Sequence, residues 1–241
     1  MASVIAVIPT RMGSTRFPGK ALAAETGRPL VLHVADAVAR SSRVDRIVVA
    51  SEDSAIEAAC RAAGVDHVMT AATHPNGSSR MAEAAADLDA DVFLNVQGDE
   101  PEIDAGTIDA TVDALVATPD AGVATAATPL KRGADHDNPN IVKVVTALDG
   151  TALYFSRTPI PHGDDTPLRH IGIYAFRPDV LARYPGLEPT PLEQSERLEQ
   201  LRLLEHGIGI AVARVPTGHG GIDTPEQYAA FVDRWRTNHP D

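Results

Sequence analysis

The chain has 241 residues, a formal net charge of -12, 44% hydrophobic residues, 22% charged residues and a single cysteine. The ordinary hydrophobic content excludes a disordered chain, the negative charge disfavours nucleic-acid binding, and one cysteine cannot form an intramolecular disulfide framework. No segment approaches the roughly 20 apolar residues of a membrane span, and the first residues lack the pattern of a signal peptide. We therefore expect a cytoplasmic globular protein without nucleic-acid or membrane partners, folded as a single domain over residues 1-241.

Apolar segments of strand length alternate with helix-like segments along most of the chain. Strands are predicted at 4–8, 46–50, 65–69, 92–96, 122–126, 141–145, 171–176 and 209–215. Helices are predicted at 30–40, 54–63, 79–88, 105–117, 193–206 and 225–238. This alternation predicts an α/β fold with a mainly parallel sheet and helices on both faces. We expect Gly64 and Gly207 to end helices, and Thr224 with Gln227 to cap the last helix.

The first predicted strand leads into a loop that is rich in cations, hydroxyl groups and glycine. Residues 10–20 read T-R-M-G-S-T-R-F-P-G-K and include Arg11, Ser14, Arg16 and Lys20. Small residues let backbone N–H groups approach phosphate oxygens, and the cations neutralise those oxygens, so the loop predicts a polyphosphate site. The spacing matches neither the G-x-x-x-x-G-K-[ST] loop nor the G-x-G-x-x-G fingerprint. A solvated basic turn is the alternative.

Two later segments each place an aspartate where a metal ion could bind. Gln97, Gly98 and Asp99 follow the strand predicted at 92–96, at the end of a parallel strand where α/β folds bind ligands. Asp223 follows a pair of glycines that permit close approach of a ligand. Mg²⁺ usually takes one or two carboxylates together with substrate phosphates. The alternatives are a turn that needs Asp and Gly, and a carboxylate that only stabilises the N-terminus of the next helix.

Further segments carry polar residues at strand ends or on a helix. They lie at 138–145 with 152–157, at 169–174 and at 192–202. The last segment is predicted as one amphipathic helix that has on adjoining positions Leu192, Ser195, Leu198 and Leu201 or Arg202. A single Arg or His at a strand edge is more often structural than functional, and helix residues such as Glu199 and Gln200 are ordinarily solvated. By themselves these segments assign no function.

Taken together, these segments resemble one family over residues 4–227. The motifs that carry the resemblance are R-x-x-S-T-R-x-P-G-K, N-V-Q-G-D-E-P, A-L-Y-F-S-R, R-H-I-G-I-Y, L-E-Q-L-R and D-T-P-E. They are similar to those of the CTP:3-deoxy-D-manno-octulosonate cytidylyltransferases (CMP-KDO synthetases). The resemblance implies the Rossmann-like fold of nucleotide-diphospho-sugar transferases and a homodimer. It also implies that residues near 150-190 contribute to the acceptor site and to the dimer contact.

The resemblance implies a role for each candidate residue. CTP would be bound by Arg11, Ser14, Arg16, Lys20, Arg80 and Gln97, and catalysis would depend on Lys20, Arg11 and Asp99. The cofactor would be Mg²⁺, with Asp99 and Asp223 as its ligands. The anionic acceptor would be bound by Arg157, His170, Tyr174, Glu199 and Gln200. An acceptor oxygen would attack the α-phosphorus of CTP and release pyrophosphate, in a step that depends on positioning and charge stabilisation.

Three departures from the family pattern concern the nucleotide and acceptor sides. Thr10 stands where alanine is usual, residues 77–80 read G-S-S-R where an acidic residue usually precedes the arginine, and the 158–169 segment is shorter than in many relatives. These departures leave open a second acceptor class, a small phosphonate of a natural-product pathway. A non-catalytic nucleotide sensor on the same fold is a further alternative. An oxidoreductase is disfavoured, because the dinucleotide fingerprint is missing.

Overall fold

The computed structural model describes residues 2–130, 133–163, 166–218 and 220–239, which form a nine-stranded sheet with helices on both faces. The strands are β1 (Val4–Pro9), β2 (Arg46–Ser51), β3 (Asp66–Met69), β4 (Val92–Asn95), β5 (Ala121–Pro129), β6 (Lys143–Thr146), β7 (Ala152–Ser156), β8 (Leu168–Phe176) and β9 (Gly209–Arg214). The helices are α1 (Leu30–Val38), α2 (Ser54–Ala63), α3 (Gly77–Ala85), α4 (Ala105–Ala117), α5 (Ala134–Asp137), α6 (Pro178–Arg183), α7 (Pro191–Glu196), α8 (Gln200–Glu205) and α9 (Pro225–Asn238). Short 3₁₀ turns lie at Lys20–Leu22 and Tyr184–Gly186.

The strand order places the ends of β1 and β4 side by side. Along the sheet the order is β3-β2-β1-β4-β8-β5-β9, and the β6–β7 hairpin extends from β8. The first four of these strands pair in parallel, as do β5 and β9, whereas β8 is antiparallel to both β4 and β5. The predicted α/β fold with a mainly parallel sheet is therefore confirmed. Because β1 and β4 are parallel neighbours, the loops that leave their carboxyl ends meet at one edge of the sheet.

The core forms two apolar layers, one on each face of the sheet. Alternate residues of a strand point to opposite faces, and in β1 the side chains of Val4, Ala6 and Ile8 enter the layer that also holds α1, α2 and α4. The residues between them enter the opposite layer, with α3, α6 and α8. A smaller cluster, which includes Leu30 and Phe231, joins α9 to α1. Among the residues that the structure describes, no helix is long and apolar enough to cross a membrane.

The structure confirms the predicted caps and corrects several predicted elements. Gly64 and Gly207 follow α2 and α8 with φ values of 69° and 73°, and Thr224 with Gln227 forms the capping box of α9. The prediction of a single helix at 193–206 is wrong. The segment forms two helices, α7 and α8, separated by a turn at Arg197. Leu192 is accordingly exposed instead of packed on a shared apolar face.

The alternation of strands and helices in the sequence does not predict β7 or α6, and each of these omissions has a physical reason. Strand β7 follows β6 directly in an antiparallel hairpin, with no helix between them, so the alternation of strands with helices does not mark it. Helix α6 has six residues, fewer than two turns, so its apolar periodicity is too short to recognise. The 158–169 segment is described except at residues 164 and 165.

Candidate active site

A cleft of about 290 Å³ opens at the carboxyl ends of β1 and β4. Its lining includes every residue that the sequence assigns to CTP or metal binding, namely Arg11, Ser14, Arg16, Lys20, Arg80, Gln97, Asp99 and Asp223. These residues come from the loop after β1, the start of α3, the loop after β4 and the segment before α9. We call this cleft the first cavity. Its many polar and charged side chains suit a ligand that carries several anionic oxygens.

Lys20 is the centre of the charged side of the first cavity. Its ammonium donates to Asp99 Oδ2 at 2.7 Å and to the main-chain oxygen of Ile222 at 2.8 Å, and it lies 3.5 Å from Asp223 Oδ1. Arg16 contacts the same Asp223 oxygen at 2.9 Å. Gly19, with φ 75°, allows the loop to turn into the 3₁₀ helix that presents Lys20. The loop after β1 is therefore part of a connected charge network, which argues against a merely solvated basic turn.

The two predicted metal ligands lie on either side of this ammonium group. The N–H of Ile222 donates to the carbonyl of Asp99 at 2.8 Å, which holds the segment before α9 against the loop after β4. A Cβ on Gly221 would lie 3.6 Å from Asp99 Oδ1, so little room separates that glycine from the carboxylate. The described residues contain no group of three or more His, Cys, Asp or Glu side chains arranged around a metal. A pair of carboxylates that already surrounds a cation fits Mg²⁺, which takes its remaining ligands from phosphate and water.

Gly98 and Arg80 shape the wall of the first cavity. A Cβ on Gly98 would lie 2.9 Å from Thr10 Cβ and 3.1 Å from the carbonyl of Pro9, so only glycine allows the loops after β1 and β4 to approach this closely. The Arg80 guanidinium is buried at the start of α3, where it contacts Thr70 Oγ1 at 2.6 Å and Glu52 Oε2 at 2.5 Å. Arg80 is thus held in a fixed position with its charge compensated by Glu52.

A second cavity, of about 410 Å³, adjoins the first. Four of the five residues predicted to bind the acceptor line it: His170, Tyr174, Glu199 and Gln200. Asn76 and Gln97 line both cavities, so the two spaces meet at these side chains. The arrangement places a pocket for one ligand directly beside a pocket for another.

An irregularity in β8 brings His170 and Tyr174 to the second cavity. The register of β8 with β5 shifts where Thr125 pairs with Tyr174 and the next residue, Ala126, pairs with Ile171. Such bulges change the direction of side chains next to functional sites. Gly172 lies in the irregular stretch and also lines the cavity. The rings of His170 and Tyr174 lie 5.5 Å apart.

The hydrogen bonds of His170 define which ring nitrogen carries the proton. Thr125 Oγ1 donates to the carbonyl of Ile173 at 2.7 Å, so its oxygen accepts from His170 Nε2 at 2.9 Å. Burial, with a smaller effect from Arg169, lowers the pKa of His170 to about 3. We therefore assign a neutral imidazole that carries its proton on Nε2 and offers Nδ1 as a hydrogen-bond acceptor.

The opposite wall of the second cavity is built around Glu199. Tyr184 donates its hydroxyl hydrogen to Glu199 Oε2 at 3.1 Å, and Asn76 donates to the oxygen of Tyr184 at 3.1 Å. Burial raises the pKa of Glu199 above its ordinary value, and burial likewise raises the pKa of Tyr184. Gln200 is buried beside them. The sequence does not identify Asn76 or Tyr184, although Asn76 has the signature of a helix N-cap directly after a strand–loop segment.

Arg157 is not among the described residues that line either cavity. Its guanidinium donates from Nε to the carbonyl of Glu196 at 2.7 Å, and from its terminal nitrogens to the carbonyls of Pro139 at 2.9 Å and Arg197 at 3.3 Å. Lys143, which is fully buried, donates to the carbonyl of Arg157 at 2.5 Å. These contacts tie β7 to the turn between α7 and α8. Direct acceptor binding by Arg157 stays a prediction.

Comparisons with known proteins agree with this arrangement. Residues 5–210 match the model of a family described as Cytidylyltransferase. A 3-deoxy-manno-octulosonate cytidylyltransferase of Geobacter metallireducens is 42% identical over 96% of this chain and 97% of that protein, and one of Syntrophotalea carbinolica is 44% identical over 93% and 95%. A solved structure of CMP:2-keto-3-deoxy-manno-octonic acid synthetase complexed with CTP is 36% identical, with a TM-score of 0.93 over 98% of this chain and 99% of that chain.

The matched family model spans most of the chain, the two relatives align over nearly its whole length, and the solved structure shares its fold. The predicted Rossmann-like fold of nucleotidyltransferases is confirmed by that structure. The chain belongs to the 3-deoxy-manno-octulosonate cytidylyltransferase (CMP-KDO synthetase) family and is a nucleotidyltransferase.

Proposed function

We propose that this enzyme is Mg²⁺-dependent and transfers CMP from CTP to 3-deoxy-D-manno-octulosonate, with release of pyrophosphate. The observation that carries the proposal is the pair of adjoining cavities. One contains a network of cations and carboxylates, and the other contains mainly uncharged hydrogen-bonding groups together with the Glu199 carboxyl and the Arg197 guanidinium. The names of the relatives and the CTP bound in the solved structure support the same substrates.

The first cavity would hold the triphosphate of CTP. Arg11, Arg16 and Lys20 supply positive charge, and Ser14 supplies a hydroxyl group. Asp99 and Asp223 would hold Mg²⁺, which when bound stabilises negative charge on phosphate oxygens. Lys20 contacts both carboxylates, so its position relative to the metal site is set before any ligand binds. Such preorganised charge is effective because no side chain has to reorient as the reaction proceeds.

The second cavity would hold the acceptor, whose hydroxyl attacks the α-phosphorus while pyrophosphate leaves from the first cavity. Gln97 lies where the two cavities meet, and His170 offers Nδ1 as an acceptor for a sugar hydroxyl. With a pKa near 3, His170 is too weak a base to take a proton efficiently at neutral pH. We therefore assign His170 to orientation of the acceptor, and we assign no side chain as a general base.

Pyrophosphate release tests the proposal directly. The assay would contain CTP, Mg²⁺ and one acceptor at a time: 3-deoxy-octulosonate, a sialic acid, or one of several small phosphonates. We expect release with the octulosonate, and loss of release when Mg²⁺ is removed with a chelator. If pyrophosphate is released only with a phosphonate, the enzyme uses CTP as proposed, but its acceptor is a phosphonate and not the octulosonate. Binding of CTP without release from any acceptor would favour the nucleotide sensor.

A further inference from the structure

Arg197 occupies an unusual position in the wall of the second cavity. It lies in the turn between α7 and α8, its side chain is exposed, and it lines the cavity beside Glu199 and Gln200. Among the described residues it is the only non-glycine residue with a positive φ, at 54°. A bulky side chain in this left-handed region costs about 1–2 kcal/mol, and such conformations concentrate at functional sites.

The turn is held in this conformation by contacts from outside it. Arg157 binds the carbonyls of Glu196 and Arg197, which in an uninterrupted helix would accept from N–H groups four residues later. The Glu196 carboxylate in turn accepts from the N–H of Arg157 at 2.8 Å and from Ser156 Oγ at 2.8 Å. The strained conformation is therefore held by Ser156 at the end of β7 and by Arg157 directly after it, and it places Arg197 in the wall of the second cavity.

The charges around the second cavity show what Arg197 could bind. The remaining lining side chains are apolar, neutral and polar, or, in the case of Glu199, acidic, and His170 is neutral. The structure records no ion pair or side-chain hydrogen bond for the Arg197 guanidinium among the described residues. An anion entering this cavity next to Glu199 needs a cation to offset its desolvation. Arg197 is the lining residue that can provide one.

We propose that the Arg197 guanidinium binds the carboxylate of the acceptor and so selects an anionic acceptor. This inference rests on the proposed function, since it concerns the second substrate of the same site. A guanidinium matches a carboxylate with two parallel N–H···O bonds, which fixes orientation as well as supplying charge. The other lining groups then contact the hydroxyls of the acceptor.

The test compares Arg197→Gly, Arg197→Asn and Arg197→Lys with the unmodified enzyme. Glycine and asparagine tolerate positive φ, so both variants retain the turn and neither should unfold. We expect the acceptor KM to rise at least tenfold in both, the KM for CTP to stay within twofold, and the lysine variant to be intermediate. Arg40→Asn, at an exposed arginine outside both cavities, is the matched control and should leave both KM values unchanged.

A binding measurement separates this inference from the proposed function. The probe is a sugar acid that lacks the attacking hydroxyl and therefore cannot react, titrated calorimetrically into the enzyme with CTP and Mg²⁺. Weaker binding to Arg197→Gly supports the inference even if turnover is absent. Equal affinity for the two proteins, or no binding to either, would overturn it. If turnover of the octulosonate is normal in Arg197→Gly, the proposed function stands and the assignment of Arg197 is wrong.

Discussion

At the residue scale, Lys20 explains how the first cavity is prepared for a polyanion. Its ammonium is held between a carboxylate on the loop after β4 and another before α9, together with one main-chain carbonyl. These groups lie on two segments that are distant in sequence from each other and from Lys20, so a single side chain connects the two carboxylates that would bind the metal. A cation that its partners hold in place before the ligand arrives is a preorganised charge.

We predict that Lys20→Gln lowers kcat/KM for CTP by about 100-fold, because one preorganised charge opposite the phosphates is lost. Steady-state kinetics with CTP as the varied substrate measures this. Arg46→Gln is a matched control, because Arg46 forms an exposed pair with Asp66 outside the first cavity. If kcat/KM for CTP is the same in Lys20→Gln as in the unmodified enzyme, the loop after β1 is a solvated basic turn and not a phosphate site.

Asp99 allows a second prediction at this scale. Asp99→Asn keeps the size of the side chain and removes its charge, so we expect turnover to fall by about 100-fold or more while the thermal unfolding midpoint is retained. The response to Mg²⁺ concentration should also weaken. Asp66→Asn, on the exposed pair with Arg46, should behave as the unmodified enzyme. Normal Mg²⁺-dependent turnover in Asp99→Asn would exclude its role as a metal ligand.

At the element scale, the interrupted helix between residues 191 and 205 determines the shape of the acceptor wall. The local sequence has helical periodicity across the break, and no glycine or proline marks the turn at Arg197. The break follows from the end of β7, where Ser156 binds the carboxylate of Glu196 and the next residue, Arg157, binds its main chain. An element boundary can thus be decided by a tertiary contact against local preference.

We predict that Arg157→Met lowers the free energy of unfolding by about 1–3 kcal/mol, because three carbonyls lose their donor. It should also raise the acceptor KM, since the turn that carries Arg197 is released. Urea unfolding and acceptor kinetics measure the two effects. Arg177→Met is a matched control: Arg177 binds the carbonyls of Ala121, Leu115 and Thr118, so its loss should reduce stability and leave the acceptor KM unchanged.

The combination of the two readouts discriminates between roles for Arg157. A higher acceptor KM at unchanged stability would support direct binding of the acceptor by Arg157, as the family resemblance implies. Lower stability together with a higher acceptor KM would support its role in positioning the turn. An unchanged acceptor KM would contradict both.

At the scale of the whole molecule, histidines that are buried or partly buried link stability to pH. Burial lowers the pKa values of His33, His67 and His170 from 6.5, and that of His170 to about 3. As the pH falls below 6.5, the unfolded chain takes up protons before the folded chain does, so each of these histidines reduces stability on acidification. Glu199, whose pKa burial raises, acts in the opposite direction, because the folded state is then the first to bind its proton.

We predict that the unmodified enzyme loses more stability between pH 7 and pH 5 than His170→Gln does. The difference over this interval should be about 2 kcal/mol, because one proton contributes about 1.4 kcal/mol for each pH unit below 6.5. Urea unfolding of both proteins at both pH values measures this difference. Carboxyl groups such as Glu199 are present in both proteins, so their contributions to the pH dependence cancel in the comparison. His206→Gln, at an exposed histidine, is the control. Parallel pH profiles for the unmodified enzyme and His170→Gln would contradict a buried neutral His170.

The β6–β7 hairpin supports the expected homodimer. Leu148 and Leu153 are exposed on it, and β7 pairs only with β6 among the described strands. An open strand edge with exposed leucines favours pairing with another chain. We predict a solution mass near twice 25.4 kDa by light scattering, and a shift toward the monomer in Leu153→Lys. Val116→Lys, at an exposed residue of α4, should retain the dimer. A monomeric unmodified enzyme would refute this expectation.

The sequence by itself determined the fold class and the nucleotide side of the site. Alternating strands and helices are local patterns, and the loops after β1 and β4 are continuous segments whose chemistry is visible in the residues 10–20 and 95–101. Parallel pairing of β1 with β4 then brings both loops to one edge, as the pattern predicts. This is why the predicted residues of these two loops line one cavity, whereas Arg80 and Asp223 reach it from α3 and from the segment before α9.

Only the tertiary structure decided the second cavity. The bulge in β8, the break at Arg197 and the contact between Asn76 and Tyr184, which are 108 residues apart, depend on groups that meet only when the chain is folded. The same holds for Arg157, which the family resemblance assigns to the acceptor and whose guanidinium donates to three main-chain carbonyls in the structure. Local preference cannot encode such contacts, because the energy of each depends on a partner from a distant segment.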